Sequence, residues 1–162
     1  DLYSIFTKDE CYDLWLIENY AWYVSFGPSP LSKGKIPYME TNLLKNILDT
    51  ADTCLVKKQN SATLRFGHEV CVMPLACLLE LGDCAYQTND ANKVADVWRN
   101  YKISPMASNI QFVFFRKNGS DDILVKIMLN EQEMKLPVDS DIAPFYHWKD
   151  VETYYRNKLA AF

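Results

Sequence analysis

The sequence predicts an α/β fold in which a mixed sheet is flanked by helices. Three observations carry that reading. Leu43, Leu44, Ile47, Leu48, Ala51 and Leu55 recur at helical spacing. Two β-rich runs, Ile110 to Arg116 and Ile123 to Leu129, stand on either side of Asn118-Gly119, the strongest short hairpin signal. Between these regions an apolar stretch, Leu64 to Gly82, is broken by Gly67-His68-Glu69. The whole chain, 1–162, reads as one region, mainly helical over 1–61, with sheet core and closing helix over 62–162.

Each element has its own local signal. Thr7 followed three residues later by Glu10 is a capping box, so a long aromatic helix is expected from about Asp9 to Ser25. Gly27-Pro28-Ser29-Pro30 ends it. Leu31 to Tyr38 reads as an exposed loop with Lys33 and Lys35 around Gly34, and a second helix follows. Lys57 to Ser61 reads as a polar turn. Ala62 to Phe66 is short and apolar enough for a buried strand. Met73 to Leu81 reads as a buried helix with Pro74 near its first turn and Gly82 as its stop. Asp83 to Ser104 is polar and irregular, with a short helix around Val94 to Tyr101. The hairpin comes next. Trp148, Val151, Tyr155 and Leu159 then mark one face of a last helix.

Composition narrows the function classes. The net charge of −4 speaks against a non-specific nucleic-acid binder, which needs a basic face, but permits one small basic pocket. No run reaches the roughly 18 apolar residues of a membrane span. Cys11, Cys54, Cys71, Cys77 and Cys84 form no C-x-x-C pair, and the odd count leaves at least one unpaired. Cys71 and Cys77 lie in an apolar run and read as small core residues. Two distant histidines do not make a metal site. There is no Gly-rich P-loop and no G-x-S-x-G elbow.

The break at Gly67-His68-Glu69 is the candidate site. In open α/β sheets ligands sit beyond the carboxyl ends of strands, and a helix start there offers free N–H groups to an anion. Gly67 allows a sharp turn or a close ligand. His68 could hold a phosphate oxygen as a charged donor. Glu69, when protonated, could hand a proton to a leaving alcohol, a role worth roughly 10²–10⁴ in rate. The same pattern also fits a capping Glu beside a core His. His147 reads as a surface or capping residue, and Asp121 and Asp122 as solvated turn residues. Asn118-Gly119-Ser120 matches a glycosylation sequon, which the turn explains more simply.

The stretch LRFGHEVCVMPLACLLELG resembles the second active-site segment of the histidine phosphatases, specifically the multiple inositol polyphosphate phosphatase branch. There a strand runs into Phe-Gly-His, an acid follows, and a Pro-Leu-rich helix packs behind. SPMASNIQFVFFR, Ser104 to Arg116, is similar to that branch's Pro-x-Ala-Ser-Asn segment. VKIMLNEQEMKLPV, Val125 to Val138, is similar to its Leu-Asn-Glu turn, and PFYHWKDVETYYRNKL to its closing helix. Upstream, YAWYVSFGPSP is faintly similar to the aromatic segment before the active-site strand. Two departures stand out. The family's Arg-His-Gly-x-Arg nucleophile motif is absent, since neither His68 nor His147 follows an Arg or precedes a Gly. The branch usually reads His-Ala-Glu, whereas here Glu69 follows His68 directly and Val70 takes the second place.

The resemblance implies the C-terminal portion of a histidine-phosphatase-like sheet. It implies a phosphomonoesterase acting on inositol polyphosphates, including phytate-like substrates, through a phosphohistidine. His68 would be the second active-site His, with Gly67 and His68 at the substrate and Glu69 as proton donor. No metal or other cofactor is required. The N-terminal part of the same enzyme would be the partner, in a periplasmic, secreted or secretory-pathway parent. Such a half-sheet would expose an apolar strand edge. Two rival readings stand beside this one: a non-catalytic module binding a phosphorylated ligand or partner, and an unrelated α/β protein in which His68 and Glu69 are structural.

Overall fold

Thr7 opens the first helix as its sequence requires. In the computed structural model, which describes residues 2–57 and 61–162, Glu10 N–H donates to Thr7 Oγ1 at 3.3 Å, and Thr7 N–H donates to Glu10 Oε2 at 2.8 Å. Two otherwise orphaned donors are thereby satisfied. Helix α1 then runs Lys8–Phe26 and stops at Gly27. A β-carbon on Gly27 would lie 2.6 Å from the Tyr23 carbonyl oxygen and 3.2 Å from the Trp98 ring, so only glycine fits there.

Leu31 to Tyr38 is more ordered than an exposed loop. Two 3₁₀ turns, Pro30–Ser32 and Ile36–Glu40, occupy it, and Pro37 is buried. Tyr38 stacks on Phe162 with centroids 4.0 Å apart, which ties this segment to the far end of the chain. Helix α2, Thr41–Val56, buries Leu44, Leu48 and Ala51, the stripe that its spacing marks. Most of the polar turn read at Lys57 to Ser61 lies outside the described residues.

Ala62 to Phe66 is not a buried strand. It has no regular structure, with Leu64 76% and Phe66 93% exposed. Its composition suits a strand, but no described strand pairs with it, and a strand without a ladder does not form. The helix read at Met73 to Leu81 is α3, Glu69–Leu78. It starts four residues earlier than read, at the first residue after His68, so Pro74 sits in mid-helix instead of its first turn. Pro74 lacks the N–H that would bond Val70. The burial of every residue from Met73 to Leu78 offsets that loss. The chain leaves α3 through positive φ at Glu80 and Gly82, and Gly82 N–H bonds the Lys135 carbonyl at 3.0 Å.

The irregular stretch contains two short helices instead of one, α4 at Ala91–Val97 and α5 at Asn100–Ile103. Asn19 of α1 braces the break between them. Its amide donates to Trp98 O at 3.0 Å, and its oxygen accepts from Asn100 N–H at 2.8 Å.

The hairpin matches the sequence reading. Strands β1, Ile110–Arg116, and β2, Ile123–Leu129, pair antiparallel from Ile110↔Leu129 to Arg116↔Ile123. Short strands β3, Gln132–Glu133, and β4, Tyr146–His147, both pair with β2, so every described pairing is antiparallel. Among the described residues β1 has no partner on its outer edge. Val125, Ile127 and Leu129 alternate along β2 and face the core. Helix α6, Trp148–Ala160, buries Trp148, Val151 and Tyr155 against it, and Phe114 meets Trp148 edge-on. The α/β fold with a helix-flanked sheet is therefore present as read, although the described part of the sheet is antiparallel where a mixed one was expected, since no described strand runs parallel to its neighbour.

Helix α6 also secures the far end of α3. Tyr155 Oη donates to Leu79 O at 2.8 Å, and Lys158 Nζ donates to Leu78 O at 2.6 Å. These are carbonyls that a helix end leaves without intrahelical partners, and the lysine charge suits the negative end of the dipole. Lys158 also pairs with Glu80 at 3.1 Å. Burial pulls the Lys158 ammonium below its ordinary range, and Glu80 opposes that shift.

Candidate functional site

His68 is the last non-helical residue before α3, with φ −111° and ψ 167°. Its carbonyl accepts from Cys71 N–H at 2.9 Å and Val72 N–H at 3.2 Å, closing the first turn. The side chain makes no capping hydrogen bond. It is exposed, and so is Glu69, the acidic residue of the first helical turn. Neither is a core residue. Gly67, beside them, is also exposed, and a β-carbon there would meet nothing closer than Cys71 Cβ at 3.9 Å. The three residues therefore share one solvent-facing helix start. Such a start suits an anion because its N–H groups are unpaired and the dipole is positive. Glu69 also fits the dipole there.

The segment leading into this turn is held by a contact that the sequence reading missed. Arg65 Nη2 donates to Asn46 Oδ1 at 2.8 Å and to Thr50 Oγ1 at 2.9 Å. Asn46 and Thr50 stand four apart on α2, so they share a face. That spacing is the one sequence signal that could have suggested a polar landing site for an arginine. Glu40 was missed as well. It is 7% exposed, at the end of the Ile36–Glu40 turn packed on α3. Burial raises its carboxyl above the usual range, and hydrogen bonding from Cys71 offsets part of the rise. No local pattern marks it.

The other singled-out residues lie elsewhere. His147 precedes α6, and its ring lies 3.0 Å from Asp122 through Nδ1 and 3.3 Å from Asp141 through Nε2. Asp122 is thus engaged as well as solvated. Cys77 is buried, while Cys71 is only partly so, and all five cysteines are free thiols. Two concavities lie away from His68 and Glu69. One, of about 430 Å³, is lined by Met134, Ser140 and Tyr146 among others. The second, of about 680 Å³, is lined by Asp52, Arg116, Asp122 and Trp148 among others. No described helix is long and apolar enough to cross a membrane.

No family model matches the sequence, and no curated protein matches it. Solved structures do. The apo form of Bifidobacterium longum multiple inositol polyphosphate phosphatase superimposes with a TM-score of 0.73 at 24% identity, covering 87% of this chain and 31% of that one. The same enzyme in complex with inositol hexasulfate gives 0.68 at 26% identity, covering 86% and 29%. Its phosphate complex gives 0.69 at 24%, covering 88% and 30%. The chain thus spans under a third of the length of the structures it matches, and it has the fold of a C-terminal part of such a histidine phosphatase.

Proposed function

We propose that this chain supplies part of a phosphomonoesterase site for inositol polyphosphates, completed by an N-terminal part that carries an Arg-His-Gly-x-Arg nucleophile. One observation supports the reading above the rest. His68 and Glu69 stand exposed together at a helix N-terminus, in a fold shared with an enzyme crystallised with phosphate and with inositol hexasulfate. In the assembled site the nucleophilic imidazole attacks phosphorus. A P–N bond forms as the bond to the inositol oxygen breaks. His68, as imidazolium, neutralises charge on the transferring phosphoryl oxygens. Glu69 donates its carboxyl proton to the departing oxygen. Its carboxylate then takes a proton from the water that cleaves the P–N bond, restoring both groups.

The test is phosphate release from inositol hexakisphosphate. The 162-residue chain alone is expected to release none, because an acid and a cation cannot replace a covalent step. Combined with the polypeptide that bears the nucleophile motif, it is expected to turn over, and His68→Ala is expected to abolish this. Turnover by the chain alone that survives His68→Ala would overturn the reading.

A further inference from the structure

Residues 61–69, which lead into α3 and include the candidate site, are all exposed. Among the described residues, no backbone group of 61–67 is hydrogen-bonded, and no strand pairs with this segment. Leu64 and Phe66 face solvent, so apolar packing does not hold it either. The hydrogen-bonded tie that remains is a single side chain. Arg65 Nη2 donates to Asn46 Oδ1 at 2.8 Å and to Thr50 Oγ1 at 2.9 Å.

The landing site on α2 is arranged to accept. Thr50 Oγ1 gives its one hydroxyl proton to Asn46 O at 2.6 Å, which leaves its oxygen as an acceptor for the guanidinium. Helix α2 is itself anchored by buried Leu44, Leu48 and Ala51, so the pin ends on a rigid element. On the other side of the turn, His68 O is fixed by Cys71 N–H and Val72 N–H. Phe66 and Gly67 alone lie between these two fixed points. A β-carbon on Gly67 would meet nothing closer than 3.9 Å, and glycine has the widest backbone freedom, so this short link is a hinge unless both of its ends are held. Arg65 holds one end and α3 the other. Removing the guanidinium exposes no core, because Arg65 lies at the surface. Its Nε and Nη1 take no described partner.

We propose that Arg65 is a positioning residue for the Gly67-His68-Glu69 turn, acting through Asn46 and Thr50 of α2 to limit the directions in which His68 can be presented to a phosphate group. The inference rests on the phosphatase reading above, but its first readout does not need that reading. Ordering the link in advance removes an entropic cost that a phosphorylated ligand would otherwise meet on binding.

The experiment uses the 162-residue chain with Arg65→Ala, with Asn46→Ala plus Thr50→Val, and with all three changes together. Nitrogen-15 relaxation gives order parameters at the Phe66, Gly67 and His68 amides. The parent should show values near 0.85, as rigid backbone does, and Arg65→Ala should lower Phe66 and Gly67 below about 0.6. The α2 pair of changes should do the same, and the triple variant should go no further, because all of them remove one contact. Each variant should melt within about 2 °C of the parent, since the side chains lost are at the surface. Combined with the polypeptide that bears the nucleophile motif, Arg65→Ala and the α2 pair should each lower kcat for inositol hexakisphosphate about tenfold, as loss of orientation does. Order parameters already low in the parent, or unchanged in Arg65→Ala, would overturn the proposal. So would a loss of turnover in Arg65→Ala that the α2 pair does not share, because Arg65 would then be touching the substrate itself. Should the α2 pair not fold, the order parameters of Arg65→Ala decide. If the assembled parent shows no turnover at all, the phosphatase reading fails, and the order parameters alone still decide whether Arg65 holds the turn.

Discussion

Asn19→Leu removes the brace between α4 and α5 while keeping the branched outline of the side chain in a somewhat larger volume. Asn19 is 1% exposed and bonds Trp98 O at 3.0 Å and Asn100 N–H at 2.8 Å. Neither backbone group has a helical partner at that break, so both are left unsatisfied. Each such group costs about 1–2 kcal/mol, which gives about 2–4 kcal/mol for the pair. At about 2–4 °C per kcal/mol for a chain of this length, the melting temperature should fall by roughly 5–15 °C. Asn19→Asp separates the two bonds. It keeps the acceptor for Asn100 N–H but sets a carboxylate against the Trp98 carbonyl, so it should lose more than half of what Asn19→Leu loses. Urea unfolding followed by circular dichroism gives the free energies. A loss under about 1 kcal/mol for Asn19→Leu would refute the accounting, because it would mean that water or a shifted loop satisfies both groups.

Other expectations can be checked as directly. Asp122 hydrogen-bonds His147, and with Asp141 it holds the imidazole above its ordinary pKa. The sign follows from linkage: this contribution to stability is full below the unfolded value of about 6.5 and is lost as pH rises through the folded value. Proton NMR of the His147 ring should titrate above that of an unfolded peptide, and Asp122→Asn should bring it down; a ring titrating at or below the peptide value would contradict the pairing. Gly27→Ala should destabilise by about 1–3 kcal/mol, as overpacking against the backbone does; thermal melting within a degree of the parent would argue against the close approach. Burial pushes the Cys84 thiol up to about 12 and the Cys77 thiol higher still. A thiol reagent should therefore label Cys11, Cys54 and Cys71 well before these two, and early modification of Cys77 would show that α3 opens. In the assembled enzyme, Glu69→Gln should slow inositol hexakisphosphate far more than p-nitrophenyl phosphate, since acid catalysis matters most for a basic leaving oxygen; equal losses would point to another donor.

Elements whose signal is local were legible in the sequence. The capping box at Thr7 and the Asn118-Gly119 hairpin rest on contacts a few residues apart, and both formed as read. The α2 stripe is equally local in its period. Ala62 to Phe66 was misread because strand formation depends on a partner that composition does not reveal. The start of α3 was misread because Pro74 suggests a first turn, while the burial of the whole helix lets it continue upstream. At the candidate site, Gly67, His68 and Glu69 were visible as a break in an apolar run, and their exposure agrees with a surface role. Arg65 was not visible because its anchors stand 15 and 19 residues away, and Glu40 was not because its burial comes from packing of its turn on α3.

Among the described residues one side of β1 has no partner, and that side is where the sheet can be extended. Alternate residues of Ile110–Arg116 aim backbone N–H and C=O groups away from β2, and the run IQFVFFR has no proline and a single charge at its end. Natural sheets protect such borders with lysine, proline, bulges or a covering segment. Among the described residues no strand pairs with this border and its run holds no lysine or proline, so it is the place where a second extended segment could add to the sheet. Val113→Glu, on the half-buried face opposite Phe112 and Phe114, would place a charge on that border facing Lys126 across the ladder while leaving the core-facing side of the strand unchanged.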